Sequence, residues 1–154
     1  MGEHRAGGII RRGISGAGAG MAGTAAMSLA LGVADLRGIM DHQPPRIIVE
    51  DLLPSLSRGE TNVLTLVSHV GYGAGAGAAY AVLVAPAHRN AWTGALYGVG
   101  VWAVGYEGWL PLLGILPPAH RDKPGRAWTM FAAHVVYEAV LGRAAARHRK
   151  RRSR

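Results

Sequence analysis

A run of about 20 mostly apolar residues is what an α-helix needs to cross the hydrocarbon core of a bilayer, and four such runs follow one another in this chain. The first, 14–34, has only Ser15, Thr24 and Ser28 as polar side chains, whose hydroxyls can bond back to helix carbonyls. The second, 62–85, holds one ionisable residue, His69. The third, 91–116, carries Glu107 and bends at Pro111. The fourth, 127–146, is the least apolar, with His134, Glu138 and, near its end, Arg143. Residues 86–90 are too few for anything but an antiparallel hairpin, and 117–126 (PPAHRDKPGR) is rich in turn formers. A water-soluble domain would be poorly supplied: 17% of the 154 residues are charged, and a single Phe leaves Ala, Val, Leu and Gly to fill a core. The absence of Cys excludes disulfides, thiolate metal sites and Cys nucleophiles. The expectation is an all-α integral membrane bundle of four transmembrane helices, with a basic arm (1–12), a membrane domain (13–146) and a basic tail (147–154).

Lys and Arg placement sets orientation. With an even number of spans, the N-terminal arm (Arg5, Arg11, Arg12), the second connection (Arg89) and the C-terminal end share one side. That end alone contributes Arg143, Arg147, Arg149, Lys150, Arg151, Arg152 and Arg154. The opposite side has fewer: Arg37, Arg46, Arg58, Arg121, Lys123 and Arg126. Both termini are therefore expected in the cytoplasm. A basic run can bind nucleic acid, but this one directly follows a membrane span. Anionic lipid headgroups are the simpler partner for Arg147, Arg149, Lys150, Arg151, Arg152 and Arg154. A competing reading takes Arg11, Arg12 and the first apolar run as a cleaved signal peptide, though about 21 residues is long for its apolar region. In the outer loop, 35–61, Ile48, Val49, Leu52, Leu53 and Leu56 follow helical spacing. They fit a short amphipathic helix at the membrane surface and equally an irregular loop with apolar anchors.

Gly18, Gly20 and Gly23 match G-x-G-x-x-G, but no strand leads into them, so a dinucleotide site lacks its context. Packing explains the glycines better. In lipid, helices are held by close backbone approach, and small residues four apart make the groove that permits it. Gly16 with Gly20, Gly71 with Gly75, and Gly94 with Gly98 are the expected grooves; Gly73 and Gly77 share the spacing. Such grooves also suit a homo-oligomer or another membrane partner.

Ionisable side chains within spans are costly and mark candidate function. His69 and His134 each lie about seven residues from the outer end of their span, roughly 10 Å deep at 1.5 Å per residue. Glu107 belongs to the same outer half, and Glu138 follows His134 by one turn. His69-Val-Gly-Tyr72 and His134-Val-Val-Tyr137 both read H-x-x-Y, which stacks each Tyr on its His. Their equal depth suggests two helical hairpins related by an axis along the membrane normal. Three readings of the cluster His69, Tyr72, Glu107, His134, Tyr137 and Glu138 stay open. It can fix the bundle by hydrogen bonds. It can relay protons, since imidazole titrates near neutrality. It can hold haem or a divalent metal at His69 and His134, although one Phe gives little of the usual haem lining. An enzyme acting on lipid would need a nucleophile, and Ser68 diverges from His69 on a helix.

The order of these segments resembles the YagU-like group of small bacterial inner-membrane proteins. The likeness covers 13–143. It rests on AGMAGTAAM in the first span, SHVGYG from Ser68, Gly94 to Gly98 with Trp102, YEGWLPLLGILPP from Tyr106, and AHVVY from Ala133. Glu138 stands where that pattern has Gly. The resemblance implies about four spans, a bacterial plasma membrane and, loosely, a part in acid tolerance; it supplies no established catalytic residues.

Overall fold

The computed structural model describes the backbone of residues 2–40 and 43–152, with side chains for 7–40 and 43–144. Its regular structure is helical throughout the described residues. Helix α1 (Gly2–Leu36) is the longest, 35 residues, and takes in the N-terminal arm expected to stand apart from the first span. No proline precedes Pro44 to break it. α1 ends at Gly38, whose φ of 67° only glycine adopts freely. The amides of Gly38 and Ile39 fold back on the carbonyls of Asp35 and Ala34, a Schellman close.

The segment around Ile48 does form a helix, α2 (Pro44–Leu52), opened by prolines at its first positions and laid on α3 with Val49 buried. Arg46 pairs with Glu50 at 2.7 Å and reaches Asn62 at the start of α3. α3 (Arg58–Leu83) begins with a reciprocal capping box between Ser57 and Glu60. A 3₁₀ turn, Pro86–His88, makes the tight connection expected at 86–90. Asn90 then caps α4 (Ala91–Trp102) by accepting from the amides of Trp92 and Thr93.

α4 passes directly into a π-helical stretch, Ala103–Trp109, and a last turn, α5 (Leu110–Leu112). Pro111 accounts for the widening. It has no N–H to give and its ring crowds the carbonyl four residues back, that of Glu107. The Leu110 amide bonds to Gly105, five residues back, so the helix absorbs the proline by adding a residue to the turn. Gly114, with φ 74°, closes this helix as Gly38 closes α1, with Ile115 returning to Leu110. The helix thus stops at Leu112 rather than at 116. α6 (Pro124–Arg152) runs through to the basic end.

The packing order is α3, α1, α6, α4, with α1 and α6 in the middle. Leu31, Leu141, Tyr80, Tyr106 and Tyr137 form the core. α3 and α4 meet near the 86–90 connection, where Tyr80 bonds Thr93 at 2.9 Å and the Tyr97 hydroxyl donates to the Ala76 carbonyl.

The glycine contacts separate two interleaved patterns on α3. A Cβ on Gly16 would strike the Gly77 carbonyl, and one on Gly20 the Gly73 carbonyl. Gly94 and Gly98 lie in the same way against Glu138, with Gly142 completing that crossing. Gly71 and Gly75, expected to form the groove of this span, are exposed with nothing within 4 Å of an added Cβ. The reason is angular. Two residues along a helix is a turn of about 200°, so the 71/75 pair faces away when the 73/77 pair packs.

Among the described residues, one helix, over Gly7–Leu36, is long and apolar enough on length and composition to cross a membrane. The other three expected spans coincide with α3, with the α4-to-α5 helix and with α6. Glycines, tyrosines and His69 dilute the apolarity of α3; the π stretch divides the third helix; His134, Glu138 and the basic end weigh on α6.

Candidate functional site

Because α3 and α4 meet only near one end, a cavity of about 210 Å³ lies between them. α1 and α6 form its back wall, and Pro44, Pro45 and Ile48 of α2 close one end. His69 and Tyr72 from α3 and His134 and Tyr137 from α6 all line it, so the two H-x-x-Y elements do converge. Tyr72 is 51% exposed and marks where the cavity reaches the surface.

Each wall group has a definable state. His134 Nδ1 lies 2.8 Å from the Met130 carbonyl oxygen. A carbonyl can only accept, so Nδ1 carries the hydrogen and Nε2 presents a lone pair. His69 has no hydrogen-bond partner among the described residues. The Tyr137 hydroxyl donates to the Gly73 carbonyl and ties α6 to α3. Gly23 makes room for that ring, since a Cβ there would come within 2.7 Å of Tyr137 Cδ2. Thr24 donates back to Gly20 and Ser68 back to Thr65, as helix-borne hydroxyls do.

Glu138 is placed differently from the histidines. It is fully buried, on the seam between α6 and α4, in the space left by the missing side chain of Gly98. Both carboxyl oxygens are buried with no hydrogen-bond partner among the described residues. One turn along α4 from Gly98, the Trp102 indole N–H is buried and unpartnered as well. Trp102 is held there by stacking on Tyr106 and by the edge of Phe131.

Glu107 does not join the cluster expected of it. Its side chain is exposed and accepts the Ala119 amide at 3.0 Å, bracing the 117–126 turn. Gly105, Tyr106, Trp109 and Leu110 are the residues of this stretch that line the cavity. No three His, Asp or Glu side chains gather into a metal-binding group among the described residues. The backbone of α6 reaches Arg152, but the side chains of Arg147, Arg149, Lys150, Arg151 and Arg152 lie outside the described residues, as does Arg154 altogether.

A second polar cluster was missed by the sequence reading. Asp122, its side chain 1% exposed, accepts from Arg126 Nε at 2.8 Å, from the Arg126 terminal nitrogen, from the Lys123 amide and from the Tyr106 hydroxyl. Burial alone would raise the Asp122 carboxyl, but the bonds from Arg126, Tyr106 and Lys123 outweigh it and hold the group below the usual carboxylate range. The same pairing holds Arg126 above its ordinary value. This clasp fastens the end of the α4-to-α5 helix to the start of α6. Its one trace in the sequence is the i, i+4 spacing of an acid and an Arg.

No protein-family model, curated protein or solved structure matches the chain.

Proposed function

We propose that this chain is a multi-pass protein of the bacterial plasma membrane that takes up and passes protons through Glu138 and the His69–His134 pair. In this reading four helical rods cross the bilayer, both termini lie in the cytoplasm, and the basic tail rests on anionic headgroups at about 1 kcal/mol per residue near the surface.

The observation that carries it is Glu138: a carboxyl with no exposure and no hydrogen-bond partner among the described residues. An unpaired charge in an apolar interior is so costly that such a group stays neutral or is paired. A lone Glu in that position is therefore a point where the bundle gains a proton or a cation. The outside of the bundle supports the membrane setting. Leu29, Leu66, Leu83, Leu96 and Val104 are all largely exposed, spread over α1, α3 and the helix from Ala91. An apolar exterior around a buried acid inverts the arrangement of a water-soluble protein. Trp92 and Trp128 are exposed at the starts of α4 and α6, which this topology puts at opposite interfaces, where Trp concentrates. The resemblance to the YagU-like group adds the bacterial plasma membrane and the link to acid.

The test is proton flux into vesicles reconstituted with purified protein and loaded with a pH-sensitive dye. Wild type should dissipate an imposed gradient, and Glu138→Gln, His69→Ala and His134→Ala should each slow it at least tenfold. Flux equal to wild type in all three variants would sink the proton role. A second reading, a packing or assembly subunit, draws on the outward-facing Gly71 and Gly75. Loss of thermal stability in those variants without any change in flux would favour it.

A further inference from the structure

We infer that the cavity between α3 and α4 binds one ring-sized, membrane-dissolved phenol, its hydroxyl donating to His134 Nε2. Size sets the first limit. A cavity of 150 Å³ lined by aliphatic and aromatic side chains takes up benzene; at about 210 Å³ this one has room for a ring with small substituents. Met27, Ile48, Ala76, Val101, Leu110 and Met130 supply apolar walls that match the faces of a ring. The polar groups set the second limit. Tyr137, Thr24 and Ser68 have already spent their hydrogens on backbone carbonyls. The Nδ1 hydrogen of His134 is spent on Met130, which fixes Nε2 as an acceptor. His69, with no partner among the described residues, adds a ring N–H. A hydroxyl answers both, donating to His134 and accepting from His69. An ether or a bare hydrocarbon leaves His134 Nε2 unsatisfied, and a site that hydrogen-bonds a hydroxyl rejects analogues lacking it. Tyr72 lines the cavity and is half exposed, which gives a ligand dissolved among acyl chains a way in past it.

The experiment titrates full-length protein in detergent micelles with 4-fluorophenol and, separately, 4-fluoroanisole, followed by fluorine NMR with empty micelles subtracted. The phenol should bind saturably, and its methyl ether at least tenfold more weakly. His134→Phe should remove that preference, and Ala76→Leu, which fills the cavity, should abolish binding of both. Equal affinity for the two compounds in wild type, no saturable binding, or undiminished binding in Ala76→Leu would overturn the inference. The wild-type comparison needs no variant to fold. It also stands apart from proton flux: binding can fail with flux intact, and flux can fail with binding intact.

Discussion

Gly71, Gly73, Gly75 and Gly77 put two small-residue pairs on one helix, and the crossing of α1 with α3 uses one of them. Gly77→Ala would bring a methyl carbon to 2.7 Å from Gly20 Cα and 2.9 Å from Gly20 N. Carbon contacts settle at about 3.5–4.0 Å, so the two backbones would have to part by about 1 Å at their closest point. Backbone cannot swing aside as a side chain can, and overpacking of this kind costs about 1–3 kcal/mol. Gly71→Ala meets no heavy atom within 4 Å and gains up to about 1 kcal/mol of helix propensity. The two substitutions are chemically identical and six residues apart on one helix, so the difference between them reports packing alone. Thermal unfolding of purified protein in one detergent, followed by far-ultraviolet circular dichroism, reads it. For a chain of this size a 2 kcal/mol loss lowers Tm by about 4–8 °C. Gly77→Ala and Gly73→Ala should both fall in that range, while Gly71→Ala and Gly75→Ala should match or exceed wild type. If Gly77→Ala leaves Tm unchanged, the α1–α3 crossing through Gly73 and Gly77 is wrong.

The Asp122 clasp makes stability depend on pH with a definite sign. Its carboxyl is held below the unfolded value of about 3.9, so its contribution is complete at neutral pH and drains as pH falls through the depressed folded value. Asp122→Asn should cost about 1–3 kcal/mol at pH 7, and the gap to wild type in Tm should begin to narrow as pH falls below about 4; a gap that stays constant or widens as the protein is acidified would refute the assignment. Ser57→Ala removes one half of the α3 capping box and should cost about 1 kcal/mol, recovered with Asp at the same position. Tyr137→Phe removes the hydroxyl bond to Gly73 and should cost about 0.5–1.5 kcal/mol by the same thermal assay, with the helix content unchanged.

What could be read from the sequence follows the range of the interaction involved. The helices and their hairpin at 86–90 depend on neighbours a few residues apart, and they stand where apolar length and proline put them; Pro111 does disturb its helix, but as a π-helical widening rather than the expected bend. The convergence of the two H-x-x-Y elements was legible because one period places His and Tyr on a shared face and one depth brings the pairs level. Choosing 73/77 over 71/75 was not legible, since both pairs have the same spacing and only the partner helix distinguishes them. Glu107 misled for a related reason. Its place in the sequence set it level with the two histidines, but the π stretch that accommodates Pro111 shifts the angular position of the residues along it, and spacing from a helix end says nothing of angle.

The two halves of the molecule make their echo concrete at a place where their helix crossings differ. Aligning His69 with His134 pairs Tyr72 with Tyr137, Gly73 with Glu138 and Gly77 with Gly142. On the opposing helices Gly20 then answers Gly98 and Gly16 answers Gly94, and the contacts obey: Gly20 meets Gly73 and Gly16 meets Gly77, as Gly98 meets Glu138 and Gly94 meets Glu138 and Gly142. Even the helix ends agree, with Gly38 and Gly114 closing the first helix of each half. In the first half the paired position is Gly73, which leaves α1 and α3 in backbone contact. In the second it is Glu138, the side chain least suited to an apolar seam. Glycine at 138 would complete a second crossing like the first, so Glu138→Gly is a sharp test of what the acid is for. If it serves only to fill space, that variant should lose no more than the roughly 1 kcal/mol that glycine costs within a helix and leave flux unchanged. If it is the proton site, proton flux should disappear from a bundle that remains folded.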